Sequence, residues 1–210
     1  NNNTIGNNTN ASTNTWGIYL YYSNNNSIVD NDFFNNSIFI DGDELYQYIH
    51  TIERNTVNGK QIYYFKNNYT GLNVPTDAGA VILVNCTDAT IVDLEISYVD
   101  IGIETVHSDD IAISNVTMIN ATYGIYSYYT DNSTLSNNIF NNSYFAILTG
   151  YSNYNYIYSN DFTNNTYSSI WITESDYTNI EYNNMTSNLF GMLLINSENN
   201  TLRYNTFNIT

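Results

Sequence analysis

Residues 102–123 read GIETVHSDDIAISNVTMINATY, residues 124–145 read GIYSYYTDNSTLSNNIFNNSYF, and residues 146–168 read AILTGYSNYNYIYSNDFTNNTYS. Each segment opens on a small residue followed by isoleucine, with further apolar residues 11 and 16 places after the small one. The same pattern starts at seven small residues, Gly17, Ala80, Gly102, Gly124, Ala146, Ser169 and Gly191. From Ala80 onward the steps are 22, 22, 22, 23 and 22 residues. Such a period is typical of a solenoid, in which each unit is stable only when stacked on its neighbours.

The residues within each repeat favour strands over helices. Ile, Val, Tyr, Phe and Thr alternate in short runs, and Asn, Ser, Thr, Asp and Gly fill the positions between them. A leucine-rich repeat has a similar period, but it needs several leucines and a helical segment in each unit. We therefore predict an all-β chain, a single parallel β-helix domain over residues 1–210 with seven to eight coils of about 22 residues.

A row of asparagines predicts how buried polar groups are satisfied between coils. Amide side chains stacked at the same turn can hydrogen-bond from one coil to the next. We predict such a ladder 14 places after the small residue, at Asn31, Asn138, Asn160, Asn183 and Asn205. The single cysteine, Cys86, lies in a row of small residues and is predicted to be a buried thiol.

Composition excludes several classes of partner. The chain has 210 residues, four basic residues and a net charge of −16, so a nucleic-acid partner is excluded because phosphate binding needs a cationic face. No apolar stretch is long enough to insert into a membrane. Because the first residue is not methionine, we interpret the chain as a processed piece of a secreted protein.

Secretion would make N-x-S/T sequons available for glycosylation. Their density also follows from turn chemistry, since Asn, Ser and Thr crowd the turns. The candidate sites are Asn25, Asn35, Asn68, Asn85, Asn115, Asn141 and Asn164.

The period breaks between residues 38 and 79. Thr56-Val-Asn-Gly-Lys60 followed by Gln-Ile-Tyr-Tyr-Phe65 predicts a hairpin turned at Asn58-Gly59. We predict a non-repeat insertion over residues 39–78, which either carries a specific contact or shields apolar surface as a flap.

Two segments and the repeat pattern resemble a known family. NTVNGKQIYYFKNN (residues 55–68), VPTDAGAVILVNCTDATIVDLEIS (residues 74–97) and the units of the form G-I-x…N-x-I-x-x-N-x-F resemble the NosD-type β-helix family, closest to its archaeal cell-surface members. The resemblance covers nearly the whole chain and implies a right-handed parallel β-helix in an extracellular setting. It implies function only weakly, because this fold carries lyases, hydrolases, adhesins and structural proteins.

The family's name implies copper handling, which needs clustered His, Cys or Met ligands. The available residues stand in separate rows, so we predict no copper site from His50, His107, Cys86, Met118, Met185 and Met192.

Acidic residues offer the alternative of calcium binding or acid–base catalysis. If the coils on either side of the insertion are adjacent, four carboxylates converge. These weak candidates are Asp30, Asp32, Asp93 and Glu95. A lyase also needs a cation beside the metal, and none stands in those rows until Arg203. We therefore predict a protein that is not an enzyme and has no cofactor, with calcium as the alternative.

Tyrosine is unusually abundant, at 22 residues, and falls largely in rows expected to point outward. Exposed aromatic surface supports lateral packing or sugar stacking, whereas cross-strand ladders would only reinforce the sheet. The predicted assembly or glycan contacts are Tyr19, Tyr21, Tyr126, Tyr128, Tyr129, Tyr151, Tyr154 and Tyr177.

The chain begins in mid-coil and ends without an evident cap. Uncapped coils expose strand edges that recruit further strands. We predict axial contacts through Ile5, Leu202 and Phe207.

Together these patterns predict an extracellular structural protein that assembles with itself or with other surface proteins into a filament, sheath or surface layer. The resemblance implies an archaeal source. The alternative is a carbohydrate-binding or adhesion module of a larger surface protein. A polysaccharide-active enzyme is the third hypothesis.

Overall fold

The computed structural model describes residues 2–11, 14, 16–67 and 69–208, with the side chains of residues 10 and 11 excepted. Parallel strands stack from coil to coil in an all-β solenoid of about nine turns. The predicted fold class is therefore confirmed. The predicted number of coils was slightly low, because residues between 39 and 78 also contribute strands to the stack.

Short strands joined by tight turns make up nearly all of the regular structure. A single four-residue 3₁₀ helix (Leu45–Tyr48) is described, and no helix in the described ranges is long and apolar enough to cross a membrane. The strands are β1 (Thr4–Gly6), β2 (Thr9–Ala11), β3 (Ile18–Tyr21), β4 (Ser27–Val29), β5 (Asp32–Phe34), β6 (Ile38–Asp41), β7 (Thr51–Glu53), β8 (Thr56–Val57), β9 (Lys60–Lys66), β10 (Ala78–Val84), β11 (Thr90–Val92), β12 (Glu95–Val106), β13 (Ala112–Ser114), β14 (Thr117–Tyr128), β15 (Thr134–Ser136), β16 (Ile139–Asn141), β17 (Phe145–Gly150), β18 (Tyr156–Tyr158), β19 (Asp161–Thr163), β20 (Ser168–Thr173), β21 (Asn179–Glu181), β22 (Asn184–Thr186), β23 (Phe190–Ile195), β24 (Thr201–Arg203) and β25 (Thr206–Asn208).

Each apolar row of the repeat becomes a column of inward side chains. In the sheet ordered β11-β13-β15-β18-β21-β24, the central residues pair in register along the column Ile91, Ile113, Leu135, Ile157, Ile180 and Leu202. All but the last are buried. Because strand side chains alternate between faces, one inward residue per three-residue strand is enough to build the core.

The corners of the coils have left-handed backbone. Four positions per coil, 5, 8, 13 and 18 places after the small opening residue, have φ between 46° and 60° wherever the structure describes them in the repeats. Asn and Asp tolerate this conformation, which explains why they fill the turns. Tyrosine occupies the same conformation at Tyr22, Tyr98, Tyr129, Tyr151, Tyr154, Tyr177, Tyr182 and Tyr204.

Much of the segment 39–78 lies within the stack. Strands β7 and β8 pair in parallel with β4 and β5 of the preceding coil. The chain then turns at Asn58 and Gly59, and β9 runs antiparallel to β8 before pairing in parallel with β10. This reversal divides the solenoid into an N-terminal unit, β1 to β8, and a main stack, β9 to β25.

The N-terminal unit packs against the outside of the main stack. Ile103 and Ile125 point into the stack, so Glu104 and Tyr126, the next residues, lie on the outer face of β12 and β14. Phe39 of β6 covers this face, with ring centroids 5.1 Å from Tyr126 and 5.8 Å from Tyr123. Here coils therefore contact one another across the outer face of a sheet, as well as along the stacking direction.

Candidate functional site

The asparagine ladder links consecutive coils through buried amides. Nδ2 of Asn138 donates to Oδ1 of Asn160, Nδ2 of Asn160 to Oδ1 of Asn183, and Nδ2 of Asn183 to Oδ1 of Asn205, each at 3.0 Å. Each Oδ1 also accepts the backbone N–H of the preceding ladder residue. The ladder therefore provides hydrogen-bond acceptors for backbone N–H groups at this turn, which the strands of the sheets do not pair.

The ladder has members that sequence reasoning missed. In the N-terminal unit, Asn8 donates to Asn31 and Asn31 donates to Asn55, both at 2.9 Å. Asn55 lies in the segment treated as an insertion, where the broken period concealed it. A second ladder joins Asn165 to Asn188 at 2.9 Å. Its signal was present as another asparagine five places further along three of the repeats, at Asn36, Asn165 and Asn188.

A buried carboxylate on β12 holds the N-terminal unit in place. Asp100 is buried, and its Oδ2 accepts the backbone N–H groups of Gly17 at 2.7 Å and Ser37 at 3.0 Å. Its Oδ1 accepts Nδ2 of Asn36 at 3.2 Å. Burial raises the pKa of this carboxyl, and the three hydrogen bonds oppose that rise because they favour the charged form.

Glu104 lies four residues further along β12 and is fully buried at the same junction. Its Oε2 accepts the backbone N–H of Ile40 at 3.4 Å, while Oε1 has no hydrogen-bond partner among the described residues. Burial raises the pKa of this carboxyl well above the ordinary value of 4.5. Neither acid was among the predicted site residues, although two carboxylates in the apolar run YVDIGIETV (residues 98–106) were a visible signal.

Replacing Glu104 by glutamine is expected to change how stability depends on pH. The raised pKa means that the folded protein binds the proton more tightly than the unfolded chain, so the stability that Glu104 contributes is complete below the unfolded value of 4.5 and is lost as pH rises through the folded pKa. At neutral pH we expect Glu104→Gln to unfold with a free energy about 1–3 kcal/mol higher than the parent chain.

Urea unfolding midpoints measured from about pH 5 to pH 8 check this expectation. The matched control is Glu95→Gln, an exposed carboxyl on the same strand, whose free energy of unfolding at neutral pH should stay within about 0.5 kcal/mol of the parent's. Identical slopes for the parent chain and Glu104→Gln would contradict the assignment.

The exposed tyrosines form stacked pairs between neighbouring coils. Tyr154 and Tyr177 stack with centroids 5.1 Å apart and planes at 6°, and Tyr182 and Tyr204 stack at 4.9 Å and 16°. Exposed fractions are 58% and 49% for the first pair and 56% and 69% for the second. These pairs lie at corners on either side of the sheet that contains β18 and β21.

Not all of the predicted tyrosine contacts are accessible. Tyr19, Tyr21 and Tyr151 are exposed, together with Tyr154 and Tyr177. The prediction for Tyr126 was wrong, because Phe39 covers its ring and leaves it 6% exposed. Two others are half-buried in an aromatic network, Tyr128 against Tyr126 and Tyr129 between His107 and Tyr151.

The residues predicted for axial contacts differ in exposure. Leu202 and Phe207 are exposed on the last described coil, and Ile5 is half-buried. Among the sequons, Asn25, Asn35, Asn115 and Asn164 are exposed and Asn85 and Asn141 are half-buried. Asn68 lies outside the described residues.

The four acidic candidates do not converge. Asp30 is ion-paired with Arg54 at 2.6 Å, and Asp32 accepts the Thr56 hydroxyl at 2.7 Å. The coil of β7 and β8 supplies both partners and so separates these acids from Asp93 and Glu95. No group of three or more His, Cys, Asp or Glu side chains in the described ranges could hold a metal ion. The expectation of a shared carboxylate site is therefore wrong.

His50 and Cys86 each form hydrogen bonds with the backbone around them. Nδ1 of His50 accepts the backbone N–H of Asn26 at 3.2 Å, and Nε2 lies 2.9 Å from the carbonyl oxygen of Gln47. Burial lowers the pKa of His50 to about 4. The Cys86 thiol is buried and donates to backbone carbonyls, and burial raises its pKa.

Comparison with known proteins identifies one family. The family model described as "Periplasmic copper-binding protein (NosD)" matches residues 40–210, which is 171 of the 210 residues. No curated protein and no solved structure matches the chain. The His and Cys side chains do not fit a copper centre, because His50 has both ring nitrogens occupied and no cluster of potential ligands is found in the described part of the chain. The match covers the whole main stack and the last strands of the N-terminal unit, and the chain therefore belongs to the NosD family.

Proposed function

We propose that this NosD-family protein is a non-enzymatic structural protein of the cell envelope or the extracellular space, which assembles with itself into a filament, sheath or surface layer. The stacked tyrosine pairs at the exposed corners carry the proposal. The family's description as periplasmic supports the location.

Backbone conformation supports a functional role for these tyrosines. At the position of Tyr154 and Tyr177, other repeats carry Asn25, Asn132 or Asn199, all with left-handed backbone. Asparagine enters this conformation readily, whereas a bulky aromatic residue there is an outlier. Strained residues cluster where function retains them, so we infer that the corner tyrosines are kept for what their rings contact.

The chemistry of the corners fits protein contacts. Tyrosine supplies a large rigid surface with a polar tip, and aromatic residues are enriched in protein interfaces. The net charge of −16 opposes close approach of two copies at low salt, so we propose contacts that strengthen as ionic strength rises. Axial contacts through Ile5, Leu202 and Phe207 remain part of the proposal.

A double substitution tests the lateral contacts. Because Tyr154→Asn with Tyr177→Asn installs the residue that other repeats use at this corner, the coil should keep its backbone while losing both rings. We expect the parent chain to form ordered assemblies in negative-stain electron micrographs and in sedimentation velocity, and the double variant to remain monomeric. The control is Tyr98→Asn, an exposed left-handed tyrosine at a different corner, which should still assemble.

A parent chain that stays monomeric at all salt concentrations would overturn self-assembly. A double variant that assembles like the parent would remove this corner from the interface. The same proteins applied to a glycan array separate the alternative, because carbohydrate binding through these rings predicts retention by the monomeric parent and loss in the double variant.

A further inference from the structure

The stacked pairs bring phenol rings of different coils together at the surface. In each pair the residues occupy the same left-handed corner of adjacent coils, 23 positions apart for Tyr154 and Tyr177 and 22 for Tyr182 and Tyr204. The parallel register of β18 with β21 and of β21 with β24 holds the backbones of the two coils side by side. The stacking of the coils therefore places the two rings of each pair in contact. Because the rings are exposed, they have room to tilt.

Other side chains that one-electron oxidants attack are less exposed than these tyrosines, since Trp16, Trp171 and Met192 are half-buried. The thiol of Cys86 is buried and hydrogen-bonded, and the thioethers of Met118 and Met185 are buried in the core. With a single cysteine, the chain cannot form a disulfide of its own. Tyrosine is thus the most exposed of these oxidisable groups, and it offers a route to a covalent link between coils.

We propose that Tyr154–Tyr177 and Tyr182–Tyr204 are modification sites at which oxidation forms dityrosine links between adjacent coils. The oxidant is hydrogen peroxide acting through a haem peroxidase. Each phenol loses one electron and one proton, and the two phenoxyl radicals join through a carbon–carbon bond between ring positions ortho to the hydroxyls. The ortho hydrogens then move to the oxygens, which restores both phenols. In sum two tyrosines lose two hydrogen atoms, and one peroxide is reduced to two waters.

This modification is independent of assembly. Each link joins residues of one molecule and closes a loop of one coil, so it restricts the unfolded chain in the manner of a short-loop disulfide. A solenoid is stable only through contacts between neighbouring coils, and a covalent link across one such contact slows local opening.

Digestion after glutamate tests the proposal directly. Cleavage after Glu174, Glu181 and Glu198 releases residues 175–181, 182–198 and 199–210, each with a single tyrosine. After peroxidase treatment of dilute full-length protein, we expect the last two peptides to be joined, with a mass two hydrogens below their sum. We also expect Tyr177 in 175–181 to be joined to Tyr154. Each parent peptide should lose at least half of its unlinked form.

An equal mixture of unlabelled and heavy-isotope protein identifies links within one molecule, since these never combine the two labels. Tyr204→Phe keeps the ring but cannot form a phenoxyl radical, and should abolish the 182–204 link while leaving the 154–177 link intact. Tyr98→Phe, at an exposed left-handed corner, should change neither link. Mixed-label links as the main product, or linked peptides that persist in Tyr204→Phe, would overturn the proposal.

Discussion

Replacing Asn160 by alanine is expected to lower the free energy of unfolding by about 3 kcal/mol, because several buried hydrogen bonds are lost at once. Oδ1 of Asn160 accepts the backbone and side-chain N–H groups of Asn138 at 2.9 Å and 3.0 Å. Its Nδ2 donates to the carbonyl of Leu135 and to Oδ1 of Asn183. Alanine provides neither group, and the N–H of Asn138 stays buried without its acceptor.

The loss should be local before it is global. Because each coil of a solenoid contacts only its neighbours, the coils around β18 and β19 should open first. Urea unfolding gives the total effect, and hydrogen exchange at residues 134–163 locates it. The control is Asn179→Ala, an exposed asparagine on β21, for which we expect a change within about 0.5 kcal/mol. Equal losses of unfolding free energy in the two variants would show that the ladder hydrogen bonds do not stabilise the fold.

Replacing Asp100 by alanine should release the N-terminal unit from the main stack. The substitution removes the acceptor of the backbone N–H groups of Gly17 and Ser37, and one acceptor of the Asn36 amide. Hydrogen bonds to a charged group contribute about 1.5–3 kcal/mol each, so we expect a total loss of about 3 kcal/mol or more.

The effect of Asp100→Ala should be uneven along the chain. We expect faster hydrogen exchange in β3 and β6 and exposure of the aromatic face that Phe39 covers, while β18 to β23 keep the protection of the parent. Asp161→Ala, an exposed carboxylate on β19, is the control and should leave both regions unchanged. Uniform acceleration over the whole chain would contradict a role confined to the junction.

The rows of the repeat determined most of the fold. Apolar residues 11 places after each opening residue, such as Ile113 and Ile157, became a buried column in register. The asparagines 14 places on, such as Asn160, became a ladder. These features could be predicted because each depends on neighbours one coil away, and stacking repeats the same contact in every coil.

The segment 39–78 shows where periodicity fails as a guide. Ile52 takes the position of Ile28 in the next coil, but the step is 24 residues, and the hairpin at Asn58-Gly59 then breaks the count. The stack accommodates coils with longer turns, and a search for a fixed repeat length does not detect those coils.

Repetition in the sequence by itself determined the solenoid, its inward columns and its tyrosine-bearing corners. Only the tertiary structure decided which outer surfaces are free. Tyr126 looked like a surface residue, yet the N-terminal unit buries it together with Asp100 and Glu104. The bonds at that junction join residues 63 to 83 positions apart, as between Asp100 and Ser37 or Asp100 and Gly17. Each of these contacts occurs once and depends on the chain reversal at β8 and β9. No repeated sequence pattern could therefore predict it.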